Sequence, residues 1–280
     1  MGLSLRELQE LAEREYSIEE TRKDMSRMVD WFCNLPDQEQ YLSIALQKYR
    51  HIPIELGKKQ KIFFVDDEML PAHMPEDFRS ESLGFVRGSH LVYAGRLVYP
   101  VMDVKGDVMG FCGWDKFTKP KYLDSHNQGY KAKAATFYGM ELLPEAYRCN
   151  LPIYLTEGIV CALYLRSKGF LAFASLGSQL TPYVIAILKR FGRRLCVIPD
   201  NDTVGKSVEE INDSKRTAGE GYVAQVKRFL PQATVLQSVI AKDPDDTRLF
   251  EDGKFEQRFL YELQQVMINP FMKLETVRLR

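Results

Sequence analysis

Two short acidic motifs in this chain have the residue types and placement to do chemistry. Asp200 and Asp202, in Ile-Pro-Asp-Asn-Asp, close an apolar stretch that begins at Leu195, and Glu157, in Thr-Glu-Gly, closes another at 153–155. A hard divalent cation seeks oxygen ligands, and carboxylates at the ends of adjacent parallel strands converge where the strands stop. A cation held there neutralises phosphate charge and aligns an in-line displacement, so phosphoryl or nucleotidyl transfer is the chemistry such a cluster would do. Acidic residues after strands also cap helices and turn loops. The surrounding elements must decide between these uses.

After Pro144 the pattern alternates. Apolar, β-branched runs at 152–156, 170–174, 195–198 and 234–239 predict strands, and amphipathic stretches at 158–167, 182–190, 205–229 and 245–266 predict helices. This is βα alternation, the signature of an α/β fold whose parallel sheet carries helices on both faces. In that frame Glu157 ends strand one, Asp200 and Asp202 end strand three, and Asp243 and Asp245 end strand four. Three acidic clusters on one sheet edge favour a cation site over isolated caps.

The preceding residues are of a different kind. Leu5, Leu8, Leu11 and Ala12 recur at helical spacing behind a Ser4/Glu7 capping box, a second helix is expected at 17–32 with Met25, Met28 and Val29 on one side, and a third at 39–49. Residues 52–95 are irregular, with β-like pieces at 61–65 and 83–86. Strand-like runs at 96–103 and 107–114 form a hairpin across Val104-Lys-Gly106. A basic, aromatic loop at 115–122 follows, then a helix near 132–141. Phe117 and Tyr122 are interleaved there with Lys116, Lys119 and Lys121, a composition able to stack on unpaired bases or to pack. We expect an N-terminal helical region at 1–50, a mixed α+β basic subdomain at 51–148, the α/β domain at 149–268 and a tail at 269–280.

Composition sets limits. Lys+Arg and Asp+Glu balance at 38 each, so nucleic-acid binding would require an asymmetric basic face rather than net charge. The five cysteines are scattered without Cys-x-x-Cys or Cys/His spacing, so no zinc site is expected. No apolar signal core or membrane-length run appears, which predicts a cytoplasmic protein without membrane attachment.

Arranged in this order, the motifs resemble the TOPRIM-containing RNA polymerase core of DnaG-type bacterial and phage primases, over about residues 90–250. Arg96-Leu-Val-Tyr-Pro-Val-Met-Asp103 with Gly106-Asp-Val-Met-Gly-Phe111 is similar to the family's basic hairpin, Pro120-Lys-Tyr-Leu-Asp-Ser125 to its "P-K-Y-L-N-S" loop, and Phe137-Tyr-Gly139 to its "L-Y-G". Thr156-Glu-Gly158 resembles "V-E-G", Ser175-Leu-Gly177-Ser-Gln-Leu-Thr181 resembles "T-L-G-T-A-L-T", and Pro199-Asp-Asn-Asp202 with Gly205 and Asp243-Pro-Asp245 resemble "D-G-D-x-A-G" and "D-P-D". The resemblance implies a TOPRIM sheet preceded by a basic subdomain and N-terminal helices. It implies Mg²⁺ or Mn²⁺ held by Glu157, Asp200, Asp202, Asp243 and Asp245. Phosphate contacts would come from Arg96, Lys121 and Lys133, with Gly177 on the site's rim.

The implied activity is synthesis of short RNA primers from ribonucleoside triphosphates on a single-stranded DNA template, with a replicative helicase or single-strand-binding protein as partner. Two features depart from the pattern. Cys161 stands where the family has an acidic residue, and Trp114 where it has an arginine. The family's zinc-binding domain is not expected here, which suits a stripped core of the phage kind. The same acidic cluster could serve a TOPRIM nuclease, or the chain could be a replication accessory protein that binds DNA or a helicase. The Arg96 hairpin and the Pro-Lys-Tyr-Leu loop favour the primase.

Overall fold

The computed structural model describes residues 5–48, 50–115, 117–124, 137–177, 179–200, 218–238, 246–247, 253–268 and 277–279. The chain divides into two compact units, Met1–Tyr49 with Pro53–Ala132, and Arg50–Ile52 with Lys133–Arg280.

The first unit opens with helix α1 (Leu5–Cys33), a single 29-residue element where two helices were expected. No proline or glycine interrupts 5–33, so the helix runs through the polar stretch between the two predicted segments. Met25, Met28, Val29 and Phe32 form its buried stripe. Short helices α2 (Gln38–Leu42), continued by a π-helical turn at Ser43–Lys48, and α3 (Ile54–Lys59) follow. A four-stranded antiparallel sheet then forms from β1 (Phe63–Val65), β4 (Arg96–Met102), β5 (Val108–Trp114) and β6 (Tyr122–Asp124), in that order across the sheet. Strands β2 (Val86–Arg87) and β3 (His90–Leu91) make a separate small ribbon. The core is aromatic: Phe32 stacks on Phe63 at 4.7 Å and meets Phe85 at 4.9 Å. At the sheet margin the buried Gln38 amide donates to Phe64 O and accepts from Phe64 N, both at 2.8 Å.

The β4–β5 turn is built on Asp103. Its carboxylate accepts from the Lys105 and Asp107 amides at 2.8 and 3.1 Å and pairs with Arg22 of α1 at 3.3 Å. With 8% of the residue exposed, these bonds are poorly replaced by water. Asp103→Ala should therefore cost about 1–3 kcal/mol, read from the urea midpoint at constant slope. A change of only a few tenths would show that the turn holds itself.

The second unit starts with α4 (Leu143–Arg148), preceded by a 3₁₀ turn at Met140–Leu142. A helix reaching back over 137–141 is excluded. Tyr138 bridges to Ala174, and Gly139 sits at φ +102°, which ends any helical run. Pro144 instead occupies the first turn of α4, where its missing N–H costs nothing. Strand β7 (Ile153–Thr156), α5 (Ile159–Ser167), β8 (Ala172–Ala174), α6 (Pro182–Lys189) and β9 (Leu195–Ile198) follow. Then come α7 (Ala218–Phe229), β10 (Thr234–Ser238), α8 (Lys254–Ile268) and β11 (Val277–Leu279).

The sheet is parallel throughout, ordered β11-β10-β9-β7-β8. Every residue of β7 and β9 is buried because helices cover both faces. This is the α/β architecture expected from the alternation. The described parts of the two last helices begin later than expected, at Ala218 and Lys254; 205–217, 245 and 248–252 lie outside the described residues. Tyr154 in β7 sends its buried hydroxyl to Leu263 O of α8 at 3.0 Å, fixing that helix on the sheet. Among the described residues no helix is long and apolar enough to cross a membrane.

Candidate functional site

The strand register brings two of the predicted carboxylates together. Thr156 of β7 lies beside Ile198 of β9, so Glu157 and Asp200 emerge side by side at the C-terminal edge. The Asp200 amide donates to Glu157 Oε1 at 3.2 Å. Glu157 is only 9% exposed. On the other flank Thr156 registers with Ala174 of β8, and the turn after β8 folds against the same edge. There Ser175 N donates to Thr156 O at 3.0 Å and Ser175 Oγ to Gly177 O at 2.7 Å. Gly177 has φ +137° after Leu176 at +62°, backbone that favours glycine in the turn following β8.

One residue at this edge carried no motif. Tyr222, from α7, is fully buried among Leu155, Phe173 and Val197. Burial raises its hydroxyl pKa far above the ordinary value; Ser175 opposes the shift and the charges of Glu157 and Asp200 add to it. The phenol is thus a buried neutral group that senses the charge of the carboxylate pair. Its signal in the sequence was only an aromatic at a core position of an amphipathic helix, which ordinarily means packing.

Asp202, Asp243, Asp245 and Lys133 lie outside the described residues. Among the described residues no group of three or more His, Cys, Asp or Glu could hold a metal. The pair that is present offers carboxylate oxygen alone, a donor set that fits a hard cation and not the sulfur and imidazole sites of zinc. Cys161, the departure from the family's acidic pattern, is buried in α5 at 5% exposure.

In the first unit Arg96, the first residue of β4, reaches the loop that carries Lys121. Arg96 is 7% exposed, and its guanidinium donates to Pro120 O at 3.1 Å, Lys121 O at 3.4 Å and Thr118 Oγ1 at 2.7 Å. Its described bonds hold the basic loop in shape. Lys121 is exposed, with its ammonium 5.9 Å from the Tyr122 ring centre. Phe117 is 87% exposed. Trp114, in the place of the family's arginine, is buried between Leu97 of β4 and Tyr122 of β6.

Asp115 closes this loop, its amide donating to Lys121 O at 3.0 Å while its carboxylate accepts from Phe117 N at 3.0 Å. Partial burial works to raise its pKa, but the Phe117 and Thr118 hydrogen bonds and the Arg96 charge prevail and lower it. A carboxyl depressed in the folded state stabilises its surroundings above the unfolded pKa and loses that contribution as pH falls through the folded value. With Trp31→Phe as background, Trp114 emission should change with a midpoint below the ordinary aspartate value of about 3.9. Asp115→Asn should remove that transition. An identical titration in the variant would refute the assignment.

No protein-family model matches the chain. Residues of the chain are 33% identical, over 120 residues, to a DNA primase of Clostridium acetobutylicum, an alignment covering 41% of this chain and 20% of that protein. The chain thus spans only about a fifth of the length of that relative. In structure it is similar to the DnaG catalytic core, with TM-score 0.67, 21% identity and coverage of 88% of this chain and 80% of that one. It is also similar to a DnaG primase catalytic domain bound to ssDNA, with TM-score 0.65, 21% identity and coverage of 88% and 78%. The chain therefore has the fold of the DnaG primase catalytic core and is similar in sequence, over part of its length, to bacterial DNA primases.

Proposed function

We propose that this chain is a DNA primase, an enzyme that joins ribonucleoside triphosphates into short RNA primers on single-stranded DNA by metal-dependent nucleotidyl transfer. The observation that carries the reading is the Glu157–Asp200 pair, brought to one edge of a parallel sheet by register alone. Those two residues, with Asp202, Asp243 and Asp245, would hold Mg²⁺ or Mn²⁺. When bound, the cation supplies charge neutralisation at the triphosphate as the 3′-hydroxyl attacks. The chain's own part is to fix these carboxylates. The Asp200 amide anchors Glu157, and Ser175 and Gly177 shape the adjoining turn. Burial keeps bulk water from Glu157, which strengthens its electrostatic effect.

Lys121 is assigned a phosphate of the template or nucleotide, with Arg96 holding its loop and Lys133 as a second cation. Lys121→Ala should weaken single-strand binding and reduce the slope of log K against log salt by about 0.7. An unchanged slope would make the loop a solvated surface. A replicative helicase or single-strand-binding protein is the expected partner in a bacterial cytoplasm, under cellular or phage control.

The test supplies single-stranded template, labelled ribonucleotides and Mn²⁺ to the full chain. Labelled dinucleotides and short RNA support the reading. Shortened template instead would assign the same carboxylates to a nuclease, and DNA binding without either product would assign an accessory role.

A further inference from the structure

In the second unit the helices that precede β7, β8, β9 and β10 all end at the same, N-terminal edge of the sheet, opposite the acidic pair. What gathers there is one-sided in charge. Arg148 ends α4 before β7, and Lys189 and Arg190 end α6, with Arg193 and Arg194 in the turn before β9. Lys227 and Arg228 end α7 before β10. No Asp or Glu occurs in residues 146–153, 187–195 or 225–235. Arg148, Lys189, Arg190, Arg193, Lys227 and Arg228 are exposed. The fourth strand start is different, since Arg166 pairs with Glu141 at 3.3 Å and Lys168 with Glu256 at 2.8 Å.

Attraction to helix C-termini rewards a cation in each last turn. It does not require Arg193 beyond the helix, nor the exclusion of every carboxylate from three separate segments. The balanced charge of the whole chain makes this concentration a true asymmetry.

The segments are also joined. Arg194 donates to Leu151 O at 3.3 Å, linking the starts of β9 and β7. A groove lined by Lys189, Gly192, Phe229 and Gln232 links β9 to β10. The three strand starts span about 10 Å at the usual strand spacing, which about three successive phosphates of one strand can cover. Tyr147 lies in the middle, 38% exposed, its ring 4.5 Å from Phe191 and its hydroxyl beside Arg190 and Arg194. A ring among arginines suits a base beside its phosphates, whereas an acidic peptide would call for the charges alone.

We propose that this basic edge is a second nucleic-acid contact surface, gripping the sugar–phosphate backbone of a single strand at the opposite end of the sheet from the carboxylate pair. It goes beyond the catalytic reading and does not need it.

The test measures binding of labelled oligothymidylate to the full chain across a salt series, without metal or nucleotide, so a failure of catalysis cannot affect it. The variant is Lys189→Gln/Lys227→Gln/Arg228→Gln. The control, Lys23→Gln/Lys58→Gln/Lys59→Gln, removes the same charge from exposed positions of the first unit. The edge variant should bind about tenfold or more weakly at low salt, with the slope reduced by about 2, at about 0.7 for each lost contact. The control should keep the parent's slope, and both should melt close to the parent. Equal losses in both variants would reduce the effect to net charge and overturn the proposal. So would an unchanged edge variant. Edge-dependent binding of polyglutamate with edge-independent binding of oligothymidylate would assign the face to an acidic protein and likewise overturn it.

Discussion

Replacing Asp200 by Asn should lower primer synthesis about a thousandfold or more while leaving the chain folded. The amide that donates to Glu157 belongs to the backbone, so the 3.2 Å hydrogen bond survives the substitution. What is lost is one negative oxygen donor, and loss of several kcal/mol of transition-state charge stabilisation corresponds to that factor in rate. Stability gives an independent readout. In the parent, divalent cation at a hundred times its dissociation constant should add about 2.7 kcal/mol, and in Asp200→Asn most of that gain should vanish. Without metal the variant should melt at or above the parent, because one of two adjacent like charges has gone. Glu157→Gln should behave in the same way. Full metal-induced stabilisation and full synthesis in both variants would remove the pair from the catalytic site.

The second large effect is structural. Arg166 is the clamp of the turn that enters the second unit. Its side chain is 5% exposed, donates to Ala172 O at 2.8 Å, pairs with Glu141 at 3.3 Å and lies 4.9 Å from the Tyr138 ring centre. Arg166→Met keeps the bulk but strands a half-buried carboxylate, and should cost about 3–5 kcal/mol in urea unfolding. Gly139 is the other half of the arrangement. A methyl there would press on the Arg166 guanidinium and the Phe173 ring at a φ of +102°, so Gly139→Ala should cost about 2 kcal/mol or more. If Arg166→Met unfolds within about 1 kcal/mol of the parent, the clamp is incidental.

That clamp shows where motif reading and structure part company. Tyr138-Gly139 stood among segments resembling a catalytic family, yet its described contacts are those of packing. The parallel sheet was legible because buried strands such as 153–156 and 195–198 are uninterrupted apolar runs bounded by turns, a signal carried by neighbours in sequence. The juxtaposition of Glu157 and Asp200 followed from that sheet once strand ends were placed. Tyr222 was not legible, because an aromatic on the buried side of a helix reads alike whether it faces leucines or carboxylates. Arg96 announced a cation but not its direction; burial turned it inward, onto the loop it supports. The length of α1 was missed since a polar run of good helix formers has no hydrophobic period to follow. Strand β11 is three residues long, too short for any period to show.

Gln38 also bears on how this protein behaves in company. Strand β1 is the outermost strand of its sheet, and the Gln38 amide occupies both backbone groups of Phe64 that face outward. A side chain thereby imitates one rung of a missing neighbour. An open strand of Phe-Phe-Val would be a template on which an identical segment from another molecule could lay itself down and propagate. With that rung taken, the margin is closed to recruits. The side chain that finishes this sheet also guards the chain against self-assembly at the concentrations a cell or a test tube imposes.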